Sequence, residues 1–401
     1  MTQRDMDQKL QMRRAFWLMG ASTRLEVKLG SLIPREDRRA DRQEWTDLDV
    51  LAIHYAPVSG VTQLVADCKT SRTRVAERIF WLRGVMDLTG ARQGFLVRDF
   101  PLPAAARQLA FRLGVSALDR EDREALLRDL REDDPVVLGL LNGPAVSRWG
   151  SLLSATPAEL DRLHRYRTTG YWLAPRHRNL TALPAAVTAA RDMLDSSQPW
   201  SLPLVVDLAW LYLFALVIAL DDIGRIRLAD PRIGLSQVVV GDERERREKD
   251  AIAAQLRSLF EAMPKRQQVP AVDVVPPYYE DLSDLVIRLW RRRSLAIDAL
   301  RTLELATVAA ANSVAVPSFV VTDFVEHSLG VKLASDVVRF IIRTCRLDRS
   351  LQGRFDDLTF EAGRNPFDSA TADDSTMTSS EPKQGQIDLF SVEGRQEAGG
   401  R

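Results

Sequence analysis

Two aspartates and a lysine stand where the sequence predicts that two neighbouring strands run side by side. Asp49 lies near the start of one apolar run, and Asp67 and Lys69 end the next run, after turn-forming residues at 57–60. Residues two apart in a strand share a face, so the side chains of Asp67 and Lys69 are expected to point the same way. If the two runs pair as a hairpin, Asp49 lies beside them at one end of that hairpin.

This combination of side chains suits metal-dependent cleavage of phosphodiester bonds. Mg²⁺ or Mn²⁺ binds one or two carboxylates together with water and substrate phosphate. The metal polarises a phosphoryl oxygen and lowers the pKa of bound water, while Lys69 would orient that water or stabilise negative charge in the transition state. The alternative is a solvated strand end, where an Asp–Lys surface pair contributes about 0–1 kcal/mol.

Strands and helices alternate in the first third of the chain. Periodicity and turn residues predict a helix over 7–20, strands over 23–29, 46–55 and 62–70, a helix over 74–88, a strand over 93–97, a helix over 103–113, a strand over 115–118 and a helix over 120–130 that is capped by Asp119. The charged run over 34–44 predicts a loop. Alternation of this kind implies an α/β domain with a mixed sheet flanked by helices.

The order of these motifs resembles the PD-(D/E)xK restriction-endonuclease-like nuclease superfamily. The segment Asp-Leu-Asp-Val-Leu at 47–51 is followed by a turn, by Leu-Val-Ala-Asp-Cys-Lys-Thr at 64–70 and then by a helix. By that resemblance Asp49 is the first acidic metal ligand, with Asp47 as the alternative, Asp67 is the (D/E) residue and Lys69 is the lysine. The resemblance implies a nuclease fold over roughly the first third of the chain.

The chain departs from the superfamily pattern at one position. Many members carry an upstream Glu in the first helix, and this chain has no clear match for it. Asp7 and Glu26 are the candidates for that additional metal ligand, although Glu26 falls in a predicted strand rather than in the helix. This departure leaves a catalytically inactive site as the alternative.

Three arginines follow the lysine of the motif. Arg72, Arg74 and Arg78 lie at the start of the predicted helix, close to the Lys69 end of the strand. Because Arg binds phosphate in a bidentate manner, these side chains are expected to contact a nucleic-acid backbone. A solvated helix start is the alternative.

Composition restricts the class of protein. Among 401 residues, 45% are hydrophobic and 27% are charged, as in soluble globular proteins. Lys and Arg number 55 and so do Asp and Glu, so nucleic-acid contacts must come from local patches. The two cysteines, Cys68 and Cys345, predict neither a disulfide framework nor a zinc site. The N-terminal segment has no apolar signal region, which predicts a cytoplasmic protein without stable membrane association.

The pattern beyond residue 131 changes to helices broken by prolines. This predicts a nuclease-like domain over 1–132 and a mainly α-helical domain over 133–362. The most apolar stretch, 202–220, is long enough to span a bilayer, but Asp207 inside it favours a buried core helix. Residues 318–346 are expected to form two helices joined around Gly330, as in a helix-turn-helix or in an ordinary helix pair.

A disordered tail is predicted over 363–401, where Ser, Thr, Asp, Glu, Gly and Gln predominate. Within it lies the pentapeptide Gln386, Ile387, Asp388, Leu389 and Phe390. This segment resembles the bacterial sliding-clamp-binding peptide, in which the Gln anchors the start and the last two side chains fill a hydrophobic pocket. An idle apolar patch is the alternative.

Two functional hypotheses follow from these patterns. In the first, the chain is a Mg²⁺-dependent DNA nuclease that is tethered to the sliding clamp and acts in DNA repair or in defence against foreign DNA. In the second, the same fold has an inactive site and serves as an adaptor that binds DNA or the clamp.

Overall fold

A mixed sheet of five strands carries the two aspartates of the motif. The computed structural model describes residues 3–33, 41–56, 60–69, 74–130, 135–226, 229–240, 243–261, 275–314 and 324–360. The strands are β1 Ser22–Ile33, β2 Asp41–Ala56, β3 Gly60–Lys69, β4 Gln93–Arg98 and β5 Val115–Leu118. They lie in the order β1-β2-β3-β4-β5, and the first two pairings are antiparallel whereas the last two are parallel. The predicted mixed sheet with flanking helices is confirmed.

Helices make up most of the remaining described chain. They are α1 Gln3–Leu18, α2 Val75–Thr89, α3 Ala104–Arg112, α4 Arg120–Asp129, α5 Pro135–Leu140, α6 Gly143–Ser154, α7 Asp161–Arg165, α8 Tyr171–Leu173, α9 Asn179–Ala189, α10 Ser201–Ile226, α11 Pro231–Val240, α12 Glu243–Glu261, α13 Tyr279–Arg291, α14 Ala296–Asn312, α15 Phe324–Cys345 and α16 Ser350–Phe360. A π-helical turn, Tyr166–Gly170, joins α7 to α8. Single 3₁₀ turns are formed by Ala158–Leu160, Arg176–Arg178, Arg191–Met193 and Arg293–Leu295.

The sheet is covered on both faces, because its central strands carry buried apolar residues on both sides. On one face Met12 and Phe16 of α1 pack against a cluster that includes Val50 of β2 and Ala66 of β3. On the other face the buried side of α2 packs against alternate residues of the same strands. That side consists of Ile79, Leu82, Val85 and Met86, which recur at helical spacing. Burial on both faces fixes the register of β2 and β3 and therefore the positions of their polar ends.

β2 begins earlier than its apolar pattern predicts. Residues 41–44 lie in the strand, where they pair with Gly30–Ile33 beyond an irregularity between Leu29 and Gly30 of β1. The loop expected over 34–44 is therefore wrong for residues 41–44, and residues 34–40 lie outside the described chain. Pairing with a long neighbouring strand outweighs the low strand propensity of these charged residues.

α10 is the central helix of the helical region. It is long and apolar enough to cross a membrane, but 94% of its most apolar window is buried inside the protein. The prediction of a buried core helix is confirmed. The apolar core is continuous from the sheet into this region, since one cluster contains Leu51, Leu96, Leu208 and Leu303. Residues 1–363 form one compact unit, and the expected boundary at residue 132 stays a prediction.

The helix pair expected around Gly330 is wrong, because α15 runs without a break from Phe324 to Cys345. A Cβ on Gly330 would lie 2.8 Å from the Cβ of Asp298 on α14. The glycine therefore permits close packing of two helices and does not form a turn. A helix-turn-helix at this position is excluded.

A buried ion-pair network ties β1 to α10. Asp207 is 2% exposed, and it accepts hydrogen bonds from both terminal nitrogens of Arg24 and, at 2.8 Å, from Nη1 of Arg167. Burial alone would raise the pKa of Asp207, but the two guanidinium groups lower it to about 2. The carboxylate is therefore ionised at neutral pH inside the core.

We expect Asp207→Asn to destabilise the protein by about 3–5 kcal/mol at pH 7, because it leaves two buried guanidinium groups without a counter-charge. The pKa of Asp207 is lower in the folded state than the ~3.9 of the unfolded chain. The stabilisation by Asp207 is therefore fully present above about pH 4 and is lost as the pH falls towards about 2.

Urea unfolding of both proteins between pH 7 and pH 2 measures this difference, which is expected to shrink towards the acid end. Asp87→Asn is the control, because Asp87 forms an exposed pair with Arg83, and its effect is expected to stay within about 0.5 kcal/mol. Equal stability of wild type and Asp207→Asn at pH 7 would contradict the role assigned to Asp207.

Candidate active site

Asp49 and Asp67 lie next to each other at the end of the β2–β3 hairpin. At this end of the hairpin, the pairing of β2 with β3 stops at Val50 and Ala66. Asp49 and Asp67 lie directly beyond that pair and are therefore adjacent. Each aspartate is only 2% exposed. Isolated carboxylates are costly to bury, so this position requires cations or hydrogen-bond donors around both side chains.

Asp49 is held by two lysines and one backbone amide. The Nζ atom of Lys9 lies 2.9 Å from Oδ1, and the Nζ atom of Lys69 lies 3.3 Å from Oδ2. The backbone N–H of Cys68 donates to Oδ2 over 2.7 Å. Oδ1 is buried, and the Lys9 ammonium group is its charged partner.

Lys9 also binds the third carboxylate of this region. Its Nζ atom lies 3.0 Å from Oε1 of Glu26, so one ammonium group bridges Glu26 and Asp49. Glu26 has a left-handed backbone conformation, with φ of 54°, which interrupts the pairing of β1 with β2 between Leu25 and Val27. Burial by itself would lower the pKa of Lys9, but the two carboxylates raise it to about 12.

Asp67 is bound by Arg78 from the first turns of α2. The Nε atom of Arg78 donates to Oδ2 over 3.0 Å, and its Nη2 atom contacts Oδ1. The same guanidinium lies 3.9 Å from the ring centroid of Trp81, which fixes its plane. The Nζ atom of Lys69 lies 3.9 Å from Oδ1 of Asp67, so Lys69 contacts both aspartates.

Arg98 adds a fully buried cation behind Lys69. The two residues are paired across β3 and β4, and Nη1 of Arg98 donates to the carbonyl oxygen of Lys69 over 3.4 Å. Its Nε and Nη2 atoms have no hydrogen-bond partner in the described structure. Burial lowers the pKa of Arg98, which is nevertheless too basic to lose its proton at neutral pH.

Three carboxylates and the four cations around them form one group, which we call the carboxylate cluster. Its members are Glu26, Asp49, Asp67, Lys9, Lys69, Arg78 and Arg98. Four members are cationic and three are anionic, so the cluster has a formal charge excess of one positive unit. Lys69 is the cation best placed to meet a ligand from solvent, since 38% of its side chain is exposed. A positive excess beside an accessible ammonium group favours an anionic ligand at this end of the sheet.

The carboxylates of the cluster offer oxygen donors of the kind that a divalent cation takes. Glu26 and Asp49 converge on one point, which the Lys9 ammonium group occupies. Carboxylate oxygens are the ligands that Mg²⁺ prefers. Lys9 and Arg78 compete for these oxygens, and no three His, Cys, Asp or Glu side chains of the described residues, those of the cluster included, are arranged to hold a metal ion as they stand.

The other residues expected at the site are distributed as follows. Arg74 is exposed and pairs with Glu77 over 3.4 Å, Asp47 lies opposite Lys28 in the β1–β2 register, and Asp7 is exposed on α1. Arg72 and the pentapeptide from Gln386 to Phe390 lie outside the described residues.

Two members of the cluster are not identified by sequence reasoning. Lys9 is one of several charged residues on α1, and nothing in its spacing marks it. Arg98 could have been found, because it follows the apolar run of β4, and parallel strands bring their carboxyl ends to one edge of the sheet.

The chain matches no protein-family model, no curated protein and no solved structure. The resemblance to the PD-(D/E)xK superfamily therefore stays a prediction. It is based on the motif residues quoted above.

We expect Lys9→Met to raise the affinity for Mn²⁺ by about tenfold or more, because Lys9 competes with the metal for Glu26 and Asp49. Two like unit charges about 4 Å apart repel by about 4 kcal/mol at an effective dielectric constant of about 20. Isothermal titration calorimetry measures the affinity. The control is Lys332→Met, at an exposed position on α15. Unchanged or weaker Mn²⁺ binding by Lys9→Met would exclude a metal at the Lys9 position.

Proposed function

We propose that this protein is a Mg²⁺-dependent DNA nuclease that hydrolyses phosphodiester bonds at the carboxylate cluster. One observation carries the proposal: two buried carboxylates, Asp49 and Asp67, lie side by side, and the Lys69 ammonium group is 3.3 Å from one and 3.9 Å from the other. An acidic pair with an adjacent, accessible lysine suits this chemistry, because carboxylates bind the metal and the lysine stabilises developing negative charge.

Each residue of the cluster has a role in this proposal. Asp49 and Asp67 would hold the metal, with Glu26 as a further ligand. Such an ion, when bound, polarises the phosphoryl oxygen and lowers the pKa of a coordinated water. Lys69 donates a hydrogen bond to the attacking water or to a phosphate oxygen and stabilises the negative charge that develops there. Arg98 contributes a fixed positive charge behind Lys69.

Lys9 and Arg78 neutralise the carboxylates when no metal is bound. Both must release carboxylate oxygens before a metal can bind, and 29% of the Arg78 side chain is already exposed. A guanidinium released from Asp67 would be available to bind a backbone phosphate in a bidentate manner. Arg78 is therefore proposed to exchange between an internal carboxylate and the DNA.

A second candidate function is that of a catalytically inactive adaptor. It is favoured by the contacts of protein cations with both oxygens of Asp49 and with both oxygens of Asp67. In that case the net positive cluster would bind a DNA phosphate directly, without a metal. The two functions make opposite predictions for cleavage and the same prediction for DNA binding.

The cellular setting is also part of the proposal. A tail that binds the sliding clamp through Gln386, Ile387, Asp388, Leu389 and Phe390 would raise the local concentration of the protein at DNA without further base contacts. Such a protein would act in the cytoplasm, in DNA repair or in defence against foreign DNA.

The nuclease proposal predicts that wild type cleaves labelled DNA with Mg²⁺ or Mn²⁺ and that Lys69→Ala lowers the rate about 10²–10³-fold, as the loss of a transition-state donor does. Linear, nicked and single-stranded substrates are compared in gel assays, and Lys332→Ala is the control for loss of one exposed lysine. Absence of cleavage by wild type on every substrate, with DNA binding retained, would favour the adaptor. Equal cleavage by wild type and Lys69→Ala would exclude Lys69 from the reaction.

The tail proposal predicts that a double substitution, Leu389→Ala with Phe390→Ala, weakens binding to a bacterial sliding clamp by at least about tenfold, because both side chains would leave the hydrophobic pocket. Surface plasmon resonance with immobilised clamp measures the affinity. Ser391→Ala, just outside the pentapeptide, is the control and should bind as wild type does. Binding that persists in the double variant would show that the pentapeptide is not the contact.

A further inference from the structure

A cavity of about 440 Å³ lies beside the carboxylate cluster. Its volume falls in the range of about 300–1,000 Å³ that is usual for small-molecule sites. Its walls come from α1, β1, β2, α6, α10, α14 and the segment around α8, so segments far apart in the sequence border it. The nuclease proposal does not use this space.

Three indoles line the cavity: those of Trp149, Trp172 and Trp210. Trp210 is fully buried and forms part of the floor, with its Nε1 atom donating to Ser22 over 2.9 Å. Trp149 and Trp172 are only partly buried, so each leaves aromatic surface accessible. Aromatic side chains stack on nucleobases of any sequence, because every base has a π-face.

One face of α6 borders the cavity with side chains at helical spacing. The residues of this face that line the cavity are Val146, Trp149, Gly150 and Leu153, and none of them is fully buried. A Cβ added at Gly150 would meet no atom within 4 Å. This apolar helix face therefore borders open space beside Trp149 rather than a filled core.

The floor of the cavity is polar, and the charged side chains that line the cavity balance, with four cations and four anions. Arg24 and Arg167 share the single carboxylate of Asp207, whereas Arg13 is balanced by Glu304 at 3.0 Å. Arg167 is only 9% exposed, and its Nε–H group has no hydrogen-bond partner in the described structure. A buried donor without an acceptor is costly, and an acceptor on a bound ligand would satisfy it.

The cavity adjoins the carboxylate cluster at Glu26. Glu26 lines the cavity and shares the Lys9 ammonium group with Asp49. Asp47, which also lines the cavity, precedes Asp49 by two residues on β2. A nucleotide whose phosphate lies at Asp49 and Lys69 could therefore place its base, or that of a neighbouring nucleotide, in the cavity.

We propose that this cavity binds one nucleobase of a single-stranded or flipped nucleotide, stacked on Trp149 and hydrogen-bonded at its edge by the Arg167 Nε–H group. The identification of the ligand as a nucleotide is based on the proposed DNA function, whereas the aromatic walls and the unsatisfied donor are features of the cavity itself. A base inside a duplex cannot enter such a site, so the protein should prefer DNA whose bases are unpaired or extruded.

Fluorescence titration with 2-aminopurine deoxyribonucleoside 5′-monophosphate tests the proposal, because stacking on an indole quenches this probe. The titration is made in EDTA with the full chain. We expect saturable quenching by wild type and equally by Lys332→Ala, which removes an exposed lysine on α15. Trp149→Ala should weaken binding about tenfold, in line with the usual effect of removing one stacking partner.

A second variant blocks the cavity without removing any contact. Gly150→Phe should weaken binding at least as much as Trp149→Ala, because the new ring would occupy the space beside Trp149. Gly353→Phe is the matched control on α16, where a Cβ also meets no atom within 4 Å, and Trp45→Ala controls for loss of an exposed tryptophan. Both controls should bind as wild type does, and circular dichroism verifies that all variants are folded.

The outcomes separate the cavity from the nuclease proposal. No saturable binding by wild type, or unchanged binding by folded Trp149→Ala and Gly150→Phe, would overturn the nucleobase site even if the protein cleaves DNA. If wild type binds the probe, both cavity variants lose that binding and the protein cleaves no DNA, the nucleobase site is supported. Only the nuclease function is then without support.

Discussion

Two carboxylates, those of Asp49 and Asp67, are buried side by side and must be neutralised. This requirement determines much of the described structure around the candidate site. Asp49 and Asp67 are each 2% exposed, and removal of charge from water costs several kcal/mol per ion unless partners compensate for it. The compensation comes from α1 through Lys9, from α2 through Arg78 and from β3 itself through Lys69. The two helices that cover the sheet thus also supply the cations that permit its polar end to be buried.

β1 joins the sheet to the helical region. β1 provides Glu26 to the carboxylate cluster and Arg24 to the network around Asp207 on α10. Thr23, just before Arg24, donates its backbone N–H to Glu304 of α14 over 2.7 Å. One strand therefore connects the candidate site, the cavity and the helical core, whose apolar interior is continuous with that of the sheet.

Local patterns in the sequence predict the elements that carry the motif, because alternating apolar residues and turn residues act over short distances. β3, β4 and β5 are found close to their expected bounds, and the capping box of Asp119 and Asp122 begins α4 where expected. The role of Lys9 and the presence of the cavity could not be predicted, because both depend on contacts between distant parts of the sequence. Arg13 and Glu304, which line the cavity as an ion pair, are an example. Gly330 was misleading because a glycine that permits close helix packing and a glycine that ends a helix look alike in sequence.

Crystallography of the protein soaked with Mn²⁺ tests the metal site most directly, because the anomalous signal locates the ion without any assumption about activity. We predict a peak within about 2.0–2.4 Å of carboxylate oxygens of both Asp49 and Asp67, with Lys9 and Arg78 displaced from those oxygens. Soaked crystals without a peak, in which Lys9 still bridges Glu26 and Asp49 and Arg78 still binds Asp67, would contradict the metal site and favour the adaptor.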